Sequence, residues 1–251
     1  MNAPQIVPPG TDSSTAEPEQ GGALLAVARR IGAAIAAGML AGLVVGGIGG
    51  RIAMFILRVT SSSRVIGITS DDGFRIGRIS AETFFLLIFT TALGAVGGLI
   101  YLFGRQWVPA RWRVAVSGTF FGVVLAAGVI KPDGVDFSLL SPLWLAVVLF
   151  VLISVVFGLV VSLLVERLLA REARQGLGWW VYLPLPALLL GGPVAWVAIV
   201  VIWLAWAIGH TVPVVGRAWR SPVVAWLARA AIAVLIVVNT LALAEDVTTI
   251  L

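Results

Sequence analysis

Cysteine is absent from this 251-residue chain, and lysine and histidine occur once each, at Lys131 and His210. The first absence removes disulfides, thiolate metal sites and a cysteine nucleophile, and leaves redox compartment unreadable. A lone histidine rules out a two-histidine metal site within one chain. Charged residues make up only 12% of the sequence, about half the usual share. Catalytic and nucleotide motifs are also missing: there is no HExxH, Walker A, GxSxG or GxGxxG in a proper setting. Gly46-Gly47-Ile48-Gly49-Gly50 has the glycines of a phosphate loop, but no Lys-Ser/Thr follows and it lies inside an apolar stretch. Neither a cofactor nor a metal is expected.

What is present is apolar. The chain is 60% hydrophobic, with mean hydropathy +1.06. A soluble domain of this size cannot hide that much apolar surface. Charge collects in short segments, separated by apolar stretches of about 20 residues, the length that crosses a hydrocarbon core of about 30 Å. The expected fold is all-α, a polytopic transmembrane helix bundle. The net charge of +5 is carried by sixteen Arg and the one Lys. These arginines flank the apolar stretches, which suits membrane orientation and not nucleic acid. Richness in Ala, Gly, Val and Arg points to a high-GC bacterium.

Residues 1–21 are rich in Pro, Ser, Thr, Glu and Gly and read as a disordered tail, without the basic start of a signal peptide. Residues 22–251 read as one transmembrane domain. Helix one is expected from about Ala23 to about Gly50, with Ile52 to Val59 extending it or lying along the surface. Loop 60–81 holds Ser70-Asp71-Asp72-Gly73-Phe74-Arg75-Ile76-Gly77-Arg78. Helix two covers about Glu82 to Phe103, and helix three about Val114 to Ile130. Loop 131–141 contains a Pro-Asp-Gly turn. Ser141-Pro142 starts helix four, which reaches about Ala170. Residues 179–210 are apolar but interrupted by Pro184, Pro186 and Gly191-Gly192-Pro193. They form either one kinked span, giving six helices, or a hairpin of two short ones, giving seven. Ser221-Pro222 opens the last helix, which fades at Glu245-Asp246.

The positive-inside rule places Arg29, Arg30, the Arg105–Arg113 loop and the Arg167–Arg174 segment in the cytoplasm. The 60–81 and 131–141 loops are then extracytoplasmic. Arg217, Arg220 and Arg229 also prefer the inside. A hairpin at 179–210 puts them there and Glu245-Asp246 outside, so seven helices are expected.

Small residues recur at helical spacing: Gly38, Gly42, Gly46 and Gly50; Gly94 and Gly98; Gly118 and Gly122; Ser154, Gly158 and Ser162. Such spacing lets helix backbones approach closely in lipid. It reads as packing within the bundle, or as a face for a second copy. Ionisable residues are missing from mid-span, which counts against ion-coupled transport.

One constellation carries candidate chemistry, on the outer face. It gathers Arg51, Asp71, Asp72, Arg75, Arg78 and Glu82 with Lys131, Asp133 and Asp136. Carboxylates from two loops can hold a divalent cation or serve as general acid and base. Arg75 and Arg78 can grip phosphate or carboxylate. The plainer reading is that opposite charges pair and lock the loops over the bundle.

Gly50-Arg51-Ile52-Ala53-Met54, Thr69-Ser70-Asp71-Asp72-Gly73-Phe74 with Ile76-Gly77-Arg78, and Pro132-Asp133-Gly134-Val135-Asp136-Phe137 before Pro142-Leu143-Trp144-Leu145-Ala146 resemble stretches of uncharacterised polytopic membrane proteins of actinobacteria. The resemblance covers roughly residues 45–170. It implies a bacterial inner-membrane location and no particular activity. Three functions fit the residues. The first is a structural or interaction subunit, or a lipid- or small-molecule-binding bundle, whose partners are the bilayer and a membrane protein or second copy. The second is a membrane enzyme using the outer cluster. The third is a carrier of an uncharged or lipidic solute.

Overall fold

The computed structural model describes residues 16–61, 81–132, 142–183 and 221–250. Among them every regular element is helical. An unbroken helical run opens the chain: α1 (Ala16–Ala41), a π-helical segment (Gly42–Gly49) and α2 (Gly50–Thr60). The run starts inside the stretch expected to be a disordered tail. Glu17 and Glu19 fall in its first turns, where acidic residues favour a helix start. Ile52 to Val59 extend the helix and do not lie apart from it.

Next come α3 (Ala81–Gly104), a 3₁₀ turn (Ala110–Trp112), α4 (Arg113–Val129) and α5 (Leu143–Gln175). α5 runs past the expected end near Ala170, because Arg, Glu and Ala are good helix formers. It stops at Gly176, whose φ of +69° suits glycine. The last helix is α6 (Pro222–Ile250). The described residues thus contain five helices long and apolar enough to cross a membrane, and not seven. The two further helices expected rest on 179–210. Of that segment, Trp179–Tyr182 forms a 3₁₀ turn, and residues 184–210 lie outside the described residues.

α3 returns antiparallel along α1 with almost nothing between the backbones. A Cβ on Gly38 would strike the carbonyl oxygen of Gly94, and one on Gly94 that of Gly38. Gly42 faces the carbonyl of Thr90, and Gly98 that of Ala34. Gly46 lies 3.2 Å from the Thr90 Cβ by the same measure. Gly50 has nothing within 4 Å, so it is not a packing residue. The π segment explains this. Its bonds close about one residue later per turn than those of an α-helix, so the four-residue rhythm loses its face. Gly47 takes the inward place instead: a Cβ on it would lie 2.7 Å from Leu87 Cδ2.

The second tight pair is α4 on α5. Gly118 abuts Leu159 and Gly122 abuts Val155. Gly158 would place a Cβ 2.5 Å from the Ser117 carbonyl. The buried Ser117 hydroxyl donates to the Gly158 carbonyl at 2.9 Å, tying the two helices together. Ser154 and Ser162 donate within their own helix, to Phe150 and Leu159. Phe121 meets Phe157 edge-to-face at 5.3 Å between α4 and α5. α5 also touches α1, α2 and α3, while α6 packs on α4.

Two contacts orient α6. At one end, Arg229 Nε donates to the Trp107 carbonyl at 2.7 Å. At the other, Lys131 Nζ lies 3.1 Å from Asp246 Oδ2. α6 therefore runs parallel to α4. We call these the Arg105 end and the Lys131 end. Leu57 joins Ile130 and Ala146 in one buried cluster, so α2 finishes at the Lys131 end. α5 finishes at the Arg105 end, where Val181 packs on Ala33 and Gly32 of α1. α2 and α4 hence end, and α3 and α5 begin, at the Lys131 end.

Candidate functional site

The nine charged residues singled out in the sequence meet different fates. Asp71, Asp72, Arg75, Arg78, Asp133 and Asp136 lie outside the described residues. Glu82 is the second residue of α3. Arg51 sits one residue into α2, towards the Lys131 end, with Nε and Nη2 shielded from solvent. Lys131 pairs with Asp246, brought to it by the last helix from more than a hundred residues away. Its side chain is half exposed, so this pair is a weak tie.

The best-formed polar site is at the opposite end and was not singled out in the sequence. It centres on Glu166 of α5. Tyr101, in the last turn of α3, donates its hydroxyl to Glu166 Oε1 at 2.8 Å. Arg105, just past α3, grips the carboxylate with two donors: Nε to Oε1 at 2.8 Å and Nη2 to Oε2 at 2.9 Å. This fork matches carboxylate geometry. Arg113, the first residue of α4, adds Nη1 to Oε1 at 3.4 Å. Its Nε donates to the carbonyls of Arg105 and Val108, both at 3.1 Å, which closes the α3–α4 turn.

Three elements are thus bolted together at one carboxylate. The side chains of Arg105, Arg113 and Glu166 keep only 25%, 21% and 30% of their exposure. Glu166 Oε1 alone receives three donors, so the carboxylate is poorly placed to act as a general base. Two guanidinium groups against one carboxylate leave the cluster a net positive charge.

Two cavities flank it. One, of about 90 Å³, lies between α3, α4 and α6, with Arg105 and Arg113 at its rim and Phe120, Phe121 and Ile232 in its wall. The other is an open surface groove of about 630 Å³ whose described lining is a single face of α5, with Glu166 and three further arginines. Among the described residues no group of three His, Cys, Asp or Glu is placed to hold a metal ion.

A signal for this cluster existed in the sequence. Glu166 is the first charge after the apolar run of α5. Counting about 1.5 Å per residue brings it level with the Arg105–Arg113 turn. In the sequence the carboxylates are denser in segments 71–82 and 133–136, which is why the constellation read there was the outer one. No protein-family profile, curated protein or solved structure matches the chain.

Proposed function

We propose that this chain is an integral protein of a bacterial inner membrane: a non-enzymatic helical bundle serving as a structural or interaction subunit, or binding lipid or a small molecule. One observation carries the reading. Small residues fill much of the buried face of α1, and many large apolar side chains face outward. Ala33, Ala34, Ala37 and Ala41 are buried, whereas Leu40, Val44, Ile48, Phe55, Phe84, Phe85 and Ile88 are exposed. No residue of α6 is buried, although the helix is mostly apolar and carries no charge between Arg229 and Glu245. Water disfavours such a surface, and soluble monomers rarely expose large contiguous apolar patches. Lipid tolerates it, and small residues then give the close helix packing that replaces the hydrophobic drive.

Charge distribution supports the orientation. Arg29, Arg30, Arg105, Arg111, Arg113, Arg167, Arg171 and Arg174 belong to the Arg105 end, which we assign to the cytoplasm. The two loops at the Lys131 end are then outer. α5 ends and α6 begins at the same end, which favours an even number of crossings between them. That counts against one kinked span through 179–210, and so against six helices. The resemblance to actinobacterial polytopic proteins supports the location. The saturated carboxylate at Glu166 favours a structural role for that cluster over catalysis.

The test is topology mapping in a chain that has no native cysteine. Ser70→Cys and Ser138→Cys should react with an impermeant thiol reagent from outside the inner membrane. Labelling from the cytoplasm alone reverses the orientation. Release of the protein by alkaline wash without detergent removes the membrane reading altogether.

A further inference from the structure

Three arginines, Arg167, Arg171 and Arg174, follow Glu166 along α5 at steps of four and three. That spacing puts them on one stripe of the helix. Together with Leu163, Glu166, Ala170 and Gln175, all on the same helix, they form the described lining of the open groove of about 630 Å³. All three are exposed. Among the described residues no carboxylate lies within ion-pair distance of any of them. The carboxylate in their groove, Glu166, is already engaged by Arg105, Arg113 and Tyr101. It cannot neutralise them as well. Arg174 is steadied by its own helix, Nε donating to the Ala170 carbonyl at 3.2 Å.

The groove is graded along its length. Leu163, an exposed apolar side chain, stands at the end nearer the middle of the bundle. Arg174 stands at the other, about 16 Å further along the helix axis at about 1.5 Å per residue. An apolar foot leading into a row of guanidinium groups complements one ligand shape: a phosphate with hydrocarbon attached.

We propose that this groove binds the headgroup phosphate of an anionic phospholipid of the inner leaflet, with Arg167, Arg171 and Arg174 as its donors and Leu163 against the start of an acyl chain. The proposal rests on the membrane reading and on the assignment of the Arg105 end to the cytoplasm. Guanidinium forks suit phosphate oxygens, and clustered Lys/Arg at the cytoplasmic end of a membrane helix attract anionic headgroups.

The experiment uses the full chain in mild detergent with three probes: phosphatidylglycerol in mixed micelles, phosphatidylcholine in the same micelles, and inorganic phosphate alone. Lipid adducts are counted by native mass spectrometry and stabilisation by thermal unfolding. Phosphatidylglycerol should bind and raise the Tm, and phosphatidylcholine and inorganic phosphate should not. The R167Q/R171Q/R174Q variant should bind phosphatidylglycerol about a hundredfold more weakly, at about fivefold per arginine. Its Tm without lipid should match the parent, because the three side chains are exposed. If it fails to fold, R171Q alone is measured against a loss of about fivefold.

A charge-matched control, R30Q/R58Q/R111Q, should keep the phosphatidylglycerol effect. Equal loss in the control overturns the groove in favour of general charge. Unchanged binding by the groove variant also overturns it. Stabilisation by inorganic phosphate as strong as by the lipid points to a free anion and overturns the lipid assignment. Failure of the groove in a protein that still requires detergent leaves the membrane reading standing. A protein that stays soluble without detergent ends both.

Discussion

Gly38 of α1 and Gly94 of α3 face each other so closely that a side-chain carbon on either would run into the carbonyl oxygen of the other. Backbone meets backbone at this crossing, with no side chain able to swing aside. Gly94→Val should therefore push α1 and α3 apart. The expected cost is about 1–3 kcal/mol or more, the range for forcing extra carbons into a packed interior. Thermal unfolding in detergent measures it. An unchanged midpoint would mean that the two helices do not meet here.

Gly50 and Gly128 offer the opposite outcome. Neither would place a Cβ within 4 Å of another atom. Both lie within helices. Ala is favoured over Gly there by about 1 kcal/mol. Gly50→Ala and Gly128→Ala should leave stability unchanged or raise it by up to about that amount. A loss at Gly50 comparable to that at Gly94 would restore Gly50 to the small-residue face.

Glu166→Gln should loosen the Arg105 end. It leaves Arg105 and Arg113, both mostly buried, facing a neutral amide. Exposed pairs contribute about 0–1 kcal/mol and breaking a buried one costs about 3–5 kcal/mol. This partly buried cluster should fall between, at about 2 kcal/mol. Tyr101→Phe removes one of the donors and should cost about 1 kcal/mol. A double-mutant cycle of Glu166→Gln with Arg105→Gln should show coupling. Additive losses would mean that the two side chains do not meet in solution.

Ser117 links α4 to α5 through one buried hydroxyl. Ser117→Ala should cost about 0.6 kcal/mol, the average for hydrogen bonds between membrane helices. Gly158→Ala should cost more, because its methyl would press on the Ser117 carbonyl. Chemical denaturation of both variants in mixed micelles gives the order. The reverse order would contradict the crossing described for α4 and α5.

The pair Lys131–Asp246 tests the path of the last helix. Cysteines at these two positions should be joined by a short bis-maleimide, in an otherwise cysteine-free chain. Asp246→Asn should barely change stability, by less than about 1 kcal/mol, since the lysine is half exposed. Absence of the cross-link would place Asp246 at the other end of the bundle and restore an odd number of crossings before α6.

Hydropathy and residue spacing alone were enough for the helical class, for four of the five long helices to within a few residues of their ends near Gly104, Arg113, Leu143 and Pro222, and for the close-packed small residues of α1, α3, α4 and α5 other than Gly50. Hydropathy and the spacing of glycine are local quantities, and the helix period converts them directly into faces. The sequence did not show that the first helix runs on to Thr60 through a π segment that turns Gly50 away and brings Gly47 inward. That depends on which backbone hydrogen bonds close once α3 is in place. Nor did it single out Glu166. A carboxylate becomes a clamp only when α3, α4 and α5 bring Tyr101, Arg105 and Arg113 to its level, and residues 53 to 65 positions away cannot be matched by pattern alone. The partner of Lys131 was decided in the same way. Asp246 reaches it because α6 lies parallel to α4, a fact of tertiary packing and not of spacing.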